Sequence, residues 1–289
     1  MSNVLTKHRA IARIVPSMDT LEGGGVAIHR AFPIPALEDV DPFLLLDHMG
    51  PIDFKPGDST GFPDHPHRGF ETVTYLLEGQ MEHRDSFGHH GVIRPGDVQW
   101  MTAGSGLVHS EMPGTEFIKT GGRLEGFQLW VNLPKRDKMM EPRYQELSGS
   151  SIPIGRNADG SVQVKVIAGE ALGQQARIDT RIPIFYLHYT LAPGANAELA
   201  VPEKFHAFAY VIRGQSQFAS ERQLALFENE GDSIYIENPS STKPLDLLLI
   251  GGQPIGEPVA RYGPFVMNTR SELAEAFEDF RNGRMGRIR

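Results

Sequence analysis

Two short segments carry the side chains best suited to hold a metal ion. His65-Pro66-His67 sets two imidazoles at i and i+2, on one face of an extended chain. Pro66 biases His65 toward extended backbone and has no ladder donor, so the segment should be a strand start, an edge or a bulge. His109-Ser110-Glu111 repeats the spacing with an imidazole and a carboxylate. That donor set suits a divalent ion such as iron, manganese, nickel, zinc or cobalt. Four ligands leave up to two positions of an octahedron open to reactants. Glu71 is a rival carboxylate, because alternation carried on from His67 puts it on the same face. The other histidines lack such company. His8, His29, His83 and His188 stand apart, and His89-His90, between Gly88 and Gly91, reads as a hairpin tip.

The elements that must position these donors are strands. Runs rich in β-branched and aromatic residues recur at short spacing: Thr72–Leu77, Gly126–Leu133, Val162–Ile167, Ile184–Leu191, Phe208–Ile212, Ser233–Glu237 and Leu245–Ile250. Such spacing indicates an antiparallel sandwich or barrel, not alternating β-α units. Arg94-Pro95-Gly96-Asp97 has the Pro and Gly placement of a type II turn. Helical signal is scarce until the end. Thr269 and Glu272 can form a capping box, and Leu273, Ala276, Phe277 and Phe280 make an apolar stripe that ends near Gly283.

Composition narrows the classes of function. A net charge of −8 argues against a general nucleic-acid or anionic-membrane surface. The basic cluster Lys135-Arg136-Asp137-Lys138 is short and interrupted, and reads as a solvated turn. There are no cysteines, which removes disulfides, thiolate zinc sites, iron–sulfur clusters and cysteine nucleophiles. No apolar run approaches the ~20 residues of a membrane helix, and Met1–Ile14 lacks the apolar core of a secretory leader. The expectation is a soluble, cytoplasmic protein. With 31 Gly and 21 Pro it is rich in turns.

An internal repeat links the two halves. Tyr75–Gln80 resembles Tyr210–Gln215, and Gly96-Asp97 and Gly231-Asp232 follow at the same separation. Two copies of one strand-turn-strand module imply two copies of one barrel. The loop-like stretch Glu146–Gly160 marks the boundary, giving domains 1–145 and 146–289, the second ending in the helix.

Five blocks, Asp41–Gly50, His65–Gly79, Pro95–Glu111, Gln128–Leu133 and Gly263–Asn268, resemble the signature of the pirin family within the cupin superfamily. The resemblance covers most of residues 20–135 and the distal end. It implies an all-β bicupin of two face-to-face antiparallel β-barrels, with one divalent metal, Fe(2+) foremost, in the first. Its metal positions fall on His65, His67, His109 and Glu111, the set reached from spacing; on both grounds Glu111 is preferred to Glu71. Offsetting these positions by the repeat gives Ala200, Pro202, Pro244 and Asp246, and Glu71 maps to a lone His206, so the second barrel reads as structural.

The resemblance also implies a quercetin 2,3-dioxygenase acting on a small aromatic substrate and dioxygen, with Glu111 as the catalytic base. Phe62, Phe70, Trp100, Met101 and Phe127 are candidate pocket walls, and His48, from a matching block, a candidate to approach the site. The alternative is a non-enzymatic, iron-dependent regulator acting through protein partners, without direct nucleic-acid contact.

Overall fold

A computed structural model describes residues 7–288; residues 1–6, part of the stretch read above for a leader, and residue 289 lie outside the described residues. In chain order the strands begin β1 Ile11–Pro16, β2 Met18–Glu22, β3 Val26–Phe32, β4 Phe43–Phe54, β5 Phe62–His67 and β6 Phe70–Glu78. They continue β7 Met81–Asp85, β8 His90–Ile93, β9 Val98–Thr102, β10 Leu107–Pro113, β11 Gly122–Asn132 and β12 Arg143–Leu147, with helix α1, Thr115–Thr120, after β10. Then come β13 Ile154–Arg156, β14 Val162–Ala168, β15 Glu170–Ala171, β16 Gln174–Gln175, β17 Ile184–Leu191 and β18 Asn196–Ala200. The last are β19 His206–Arg213, β20 Gln223–Phe227, β21 Ser233–Glu237, β22 Leu245–Gly252, β23 Ala260–Tyr262 and β24 Phe265–Met267, followed by helix α2, Arg270–Arg281. The protein is mostly β, as two cupin domains with a short C-terminal helix.

The chain forms two compact units, and they are not the consecutive halves 1–145 and 146–289. Met18–Pro33 and Pro42–Ser151 join the closing segment from Ile255 onward, whereas Ile34–Asp41 and the β1 region join Ile152–Pro254. The causes are local. β1 has its ladder partner in β20, and the apolar face of α2 is covered by Val108, Phe265, Met267 and Met285. Helix α2 therefore belongs with the histidine pairs. Its capping box is present, Thr269 Oγ1 accepting from Glu272 N and the Glu272 carboxylate accepting from Thr269 N.

In the histidine-bearing unit one sheet runs β12-β9-β6-β11-β4-β3-β2, and a second runs β5-β10-β7-β8. Strand β4 (FLLLDHMGPIDF) is buried on both faces over most of its length, which accounts for its nearly continuous apolar run. Met49, Phe54, Leu76, Met81, Ile93, Phe117 and Leu124 form an apolar cluster beneath the polar site.

The other unit repeats this order. Its main sheet, β1-β20-β19-β22-β17-β14-β13, keeps β19-β22-β17-β14-β13 where the first has β6-β11-β4-β3-β2. Gly79 and Gly214, the matched turn glycines, share a φ of 88°. Strand β20 pairs with β19 as β9 pairs with β6, and β21 pairs with β18 as β10 pairs with β5. The strand that carries His109 and Glu111 thus has its counterpart in β21 (SIYIE), which carries no histidine, and Pro244 and Asp246, just before and within β22, are not its equivalents. Among the described residues no helix is long and apolar enough to cross a membrane.

Candidate metal centre

The site is assembled across the β5–β10 pair. His109 lies directly opposite His65, and Leu107 opposite His67. A register shift follows, so that Glu111 faces Phe62 instead of Pro63. Such a bulge bends a strand and re-aims its side chains. His65, His67 and His109 come together, their donor atoms all within 4.8 Å of one another. Ring centroids are 4.7 Å apart for His65 and His67, 4.3 Å for His65 and His109, and 4.9 Å for His67 and His109.

Their hydrogen bonds define which nitrogens are free. His65 Nδ1–H donates to Pro63 O at 2.8 Å and His67 Nδ1–H to Pro264 O at 3.4 Å, which leaves each Nε2 for the cluster. His109 is 1% exposed, and neither ring nitrogen has a hydrogen-bond partner among the described residues. Burial, aided by the neighbouring histidines, holds the His67 and His109 pKa values well below the ordinary imidazole range. They are neutral near pH 7, the form that binds metals. A buried imidazole with two orphaned nitrogens is costly, and a cation shared among the three rings would satisfy one of them. The donor set fits a divalent ion.

Arg68, between the ligand pair and β6, is itself buried. Its Nε donates to Ser105 O and its guanidinium to Asp279 of α2, each at 2.7 Å. The next residue, Gly69, has a φ of 89°, and a Cβ there would lie 2.0 Å from Val266 O. The Gly69 turn resets the alternation between β5 and β6. Phe70 and Thr74 consequently face the site, Phe70 with its ring 5.1 Å from that of His67. Glu71 faces the other way and accepts from Thr102 Oγ1 at 2.6 Å. The expectation that Glu71 shares the face of His65 and His67 is therefore corrected.

Glu111 is 3% exposed but is not one of the mutually close donors. Its Oε1 accepts from Thr74 Oγ1 at 2.8 Å and its Oε2 from Gln128 Nε2 at 3.0 Å. Glu111, His65 and His67 border a cavity of about 450 Å³. Two larger clefts, of about 970 and 620 Å³, contain none of the three histidines, so chemistry and not volume identifies the site. Apolar walls come from Leu45, Met49, Phe62 and Trp130, and the polar edge includes Arg30, Asp47 and Arg261. Burial opposes the Arg30 charge, but its two hydrogen bonds to Asp47 and its pairing with Glu22 outweigh that and raise its pKa. The Arg261 guanidinium lies 5.1 Å from the Trp130 ring centroid.

Of the five candidate walls, which could equally serve as core, only Phe62 lines the cavity. Phe70, Trp100, Met101 and Phe127 are core residues. His48 does not approach the cluster either. It alternates away from Asp47 and Met49, stacks on Phe127 at 4.4 Å and bonds Glu125 at 3.0 Å. Trp130, Gln128 and Arg261 escaped the sequence reading. Gln128 and Trp130 share a face with period two, a signal that was present but shared by every half-buried strand.

Comparison with known proteins agrees with this architecture. Residues 25–131 match the Pirin family and residues 186–286 the Pirin C-terminal cupin domain. A pirin-like protein of Solanum lycopersicum is 46% identical over 99% of this chain and 96% of its own length. The chain belongs to the pirin family. Human pirin is 45% identical, over 94% of this chain and 92% of its own. The solved quercetin 2,3-dioxygenase of Acinetobacter baumannii is 34% identical with a TM-score of 0.92, covering 98% of this chain and 100% of that one. In this pirin-family chain, three histidines can hold a metal ion within a cupin domain.

Proposed function

We propose that this protein is an iron-dependent dioxygenase that cleaves a flavonol such as quercetin. The observation that carries the reading is the cluster of three imidazoles, two of them buried and His109 with both nitrogens orphaned, beside a cavity with apolar walls. The likeness to a quercetin 2,3-dioxygenase supports the same chemistry. His65, His67 and His109 hold the ion, and Glu111 is the fourth ligand and the base. Iron, when bound, supplies open positions for a substrate oxygen and for dioxygen, and the one-electron chemistry between them.

The chain's own residues account for the remainder. One carboxylate among three neutral imidazoles leaves the centre cationic, which favours a flavonolate oxygen over a neutral hydroxyl. Glu111 accepts the proton of that hydroxyl when it arrives within hydrogen-bond reach. Trp130 and Phe62 offer flat apolar surface to a planar ring, and Leu45 and Met49 keep water from the wall behind it. The test is oxygen uptake and product analysis with iron-loaded protein and quercetin. Glu111→Gln, compared at equal bound iron, should lower kcat by ~10²-fold or more. An iron-loaded wild type inert toward flavonols would remove the activity, and unchanged kcat in the variant would remove the base.

A further inference from the structure

Gln128 opens one of the blocks that resemble the family, yet the ligand set makes no use of it. It borders the cavity, and its Nε2 donates to Glu111 Oε2 at 3.0 Å. Thr74 lies directly opposite Gln128 in the β6–β11 pair. The Thr74 hydroxyl is 2.8 Å from Glu111 Oε1 and equally 2.8 Å from Gln128 Oε1. Three strands thus contribute to one closed polar group, in which Thr74 is 1% exposed and Glu111 3%. A hydroxyl has one hydrogen and serves one acceptor at a time, and a donor stranded at such depth is costly.

We infer that Thr74 and Gln128 are positioning residues for Glu111. The amide holds one carboxylate oxygen, and the shared hydroxyl lets the other turn to a metal ion and back without stranding a donor. While Oε1 is free of the ion, Thr74 donates to it. When Oε1 turns to the ion, Thr74 donates to Gln128 Oε1 instead. Oε2 stays on Gln128 Nε2 throughout, so the carboxylate pivots about a fixed point. This inference rests on Glu111 as the fourth ligand proposed above; it concerns how that ligand is held and is independent of the substrate.

The test reads metal binding, not turnover. Cobalt(II) titration gives affinity, and the visible absorption of the bound ion reports the number and geometry of its ligands. Thr74→Val and Gln128→Met should each weaken cobalt binding ~10–100-fold, the usual effect of losing a partner behind a ligand, and should change the visible band. Thr74→Ser should restore both. In a Glu111→Ala background, Thr74→Val should add less than about a twofold loss, because the residue through which it acts is gone. Should Thr74→Val fail to fold, Gln128→Met completes the same cycle. Unchanged affinity in both variants, or equal losses with and without Glu111, would overturn the inference. A protein that shows this non-additivity but consumes no oxygen with quercetin supports it and discards the flavonol reading alone. A wild type that binds no cobalt overturns the ligand set and the inference together.

Discussion

His67 and His206 are the same residue type in matched halves of the chain, and their surroundings give them different work. His67 is one of three converging imidazoles. His206 uses Nδ1 to bond Asp41 O at 2.8 Å, tying β19 to a loop of its own unit. His67→Ala should abolish stoichiometric metal, because losing one of three converging imidazoles opens the centre, whereas His206→Ala should retain it. Metal analysis of the two purified variants decides this, and equal loss from both would refute a single centre. The carboxylates can be separated in the same way: Glu71→Gln should keep more iron than Glu111→Gln, and the reverse order would make Glu71 the ligand. At this scale the imidazole trio was legible because side chains alternate with period two along a strand. The placement of Glu71 was not, because one residue at positive φ, Gly69, resets that alternation and nothing in the spacing marks the reset.

At the scale of the element, the cluster Lys135–Lys138 reads as a solvated turn, and half of that is right. Lys135 and Arg136 are exposed, but Lys138 is only 1% exposed. Its Nζ donates to Gly69 O at 2.7 Å, Asn132 Oδ1 at 2.6 Å and Val266 O at 3.0 Å, joining the β5–β6 turn, β11 and β24. Charge patterns along a sequence give the sign of a side chain and not the direction in which the turn throws it. Burial pushes the Lys138 pKa down to about 7, against the opposing charges of Glu257 and Glu272. Above that value the folded protein has released a proton that the unfolded chain still binds, so stability should rise with pH between 7 and 9. The gain approaches ~1.4 kcal/mol per pH unit at most. Denaturant titrations at pH 7, 8 and 9 should show this rise in the wild type and a smaller one in Lys138→Met; parallel profiles would mean that the lysine stays charged when buried.

For the whole molecule, the repeat could be read in the sequence because turn glycines at matched positions serve matched turns. The exchange of terminal segments could not, since it depends on ladder partners and helix docking far apart in the chain. One consequence is that α2, encoded at the end of the chain, stabilises the segment holding His67. Arg68 and Asp279 form that link, with side chains 5% and 14% exposed. Removing one partner of a buried pair leaves a charge without compensation, which costs about 3–5 kcal/mol. Asp279→Ala should therefore lower the melting temperature by ~5–10 °C. Asp279 also accepts from Arg284, but the neighbouring Glu278 pairs with that arginine only at 3.9 Å and is 64% exposed. Glu278→Ala should accordingly stay within about 0.5 kcal/mol of the wild type. Calorimetry of the two variants distinguishes a specific anchor from a general loss of helix charge. If Asp279→Ala melts with the wild type, α2 is held by its apolar stripe alone, and Arg68 depends on Ser105 O for its place behind the histidines.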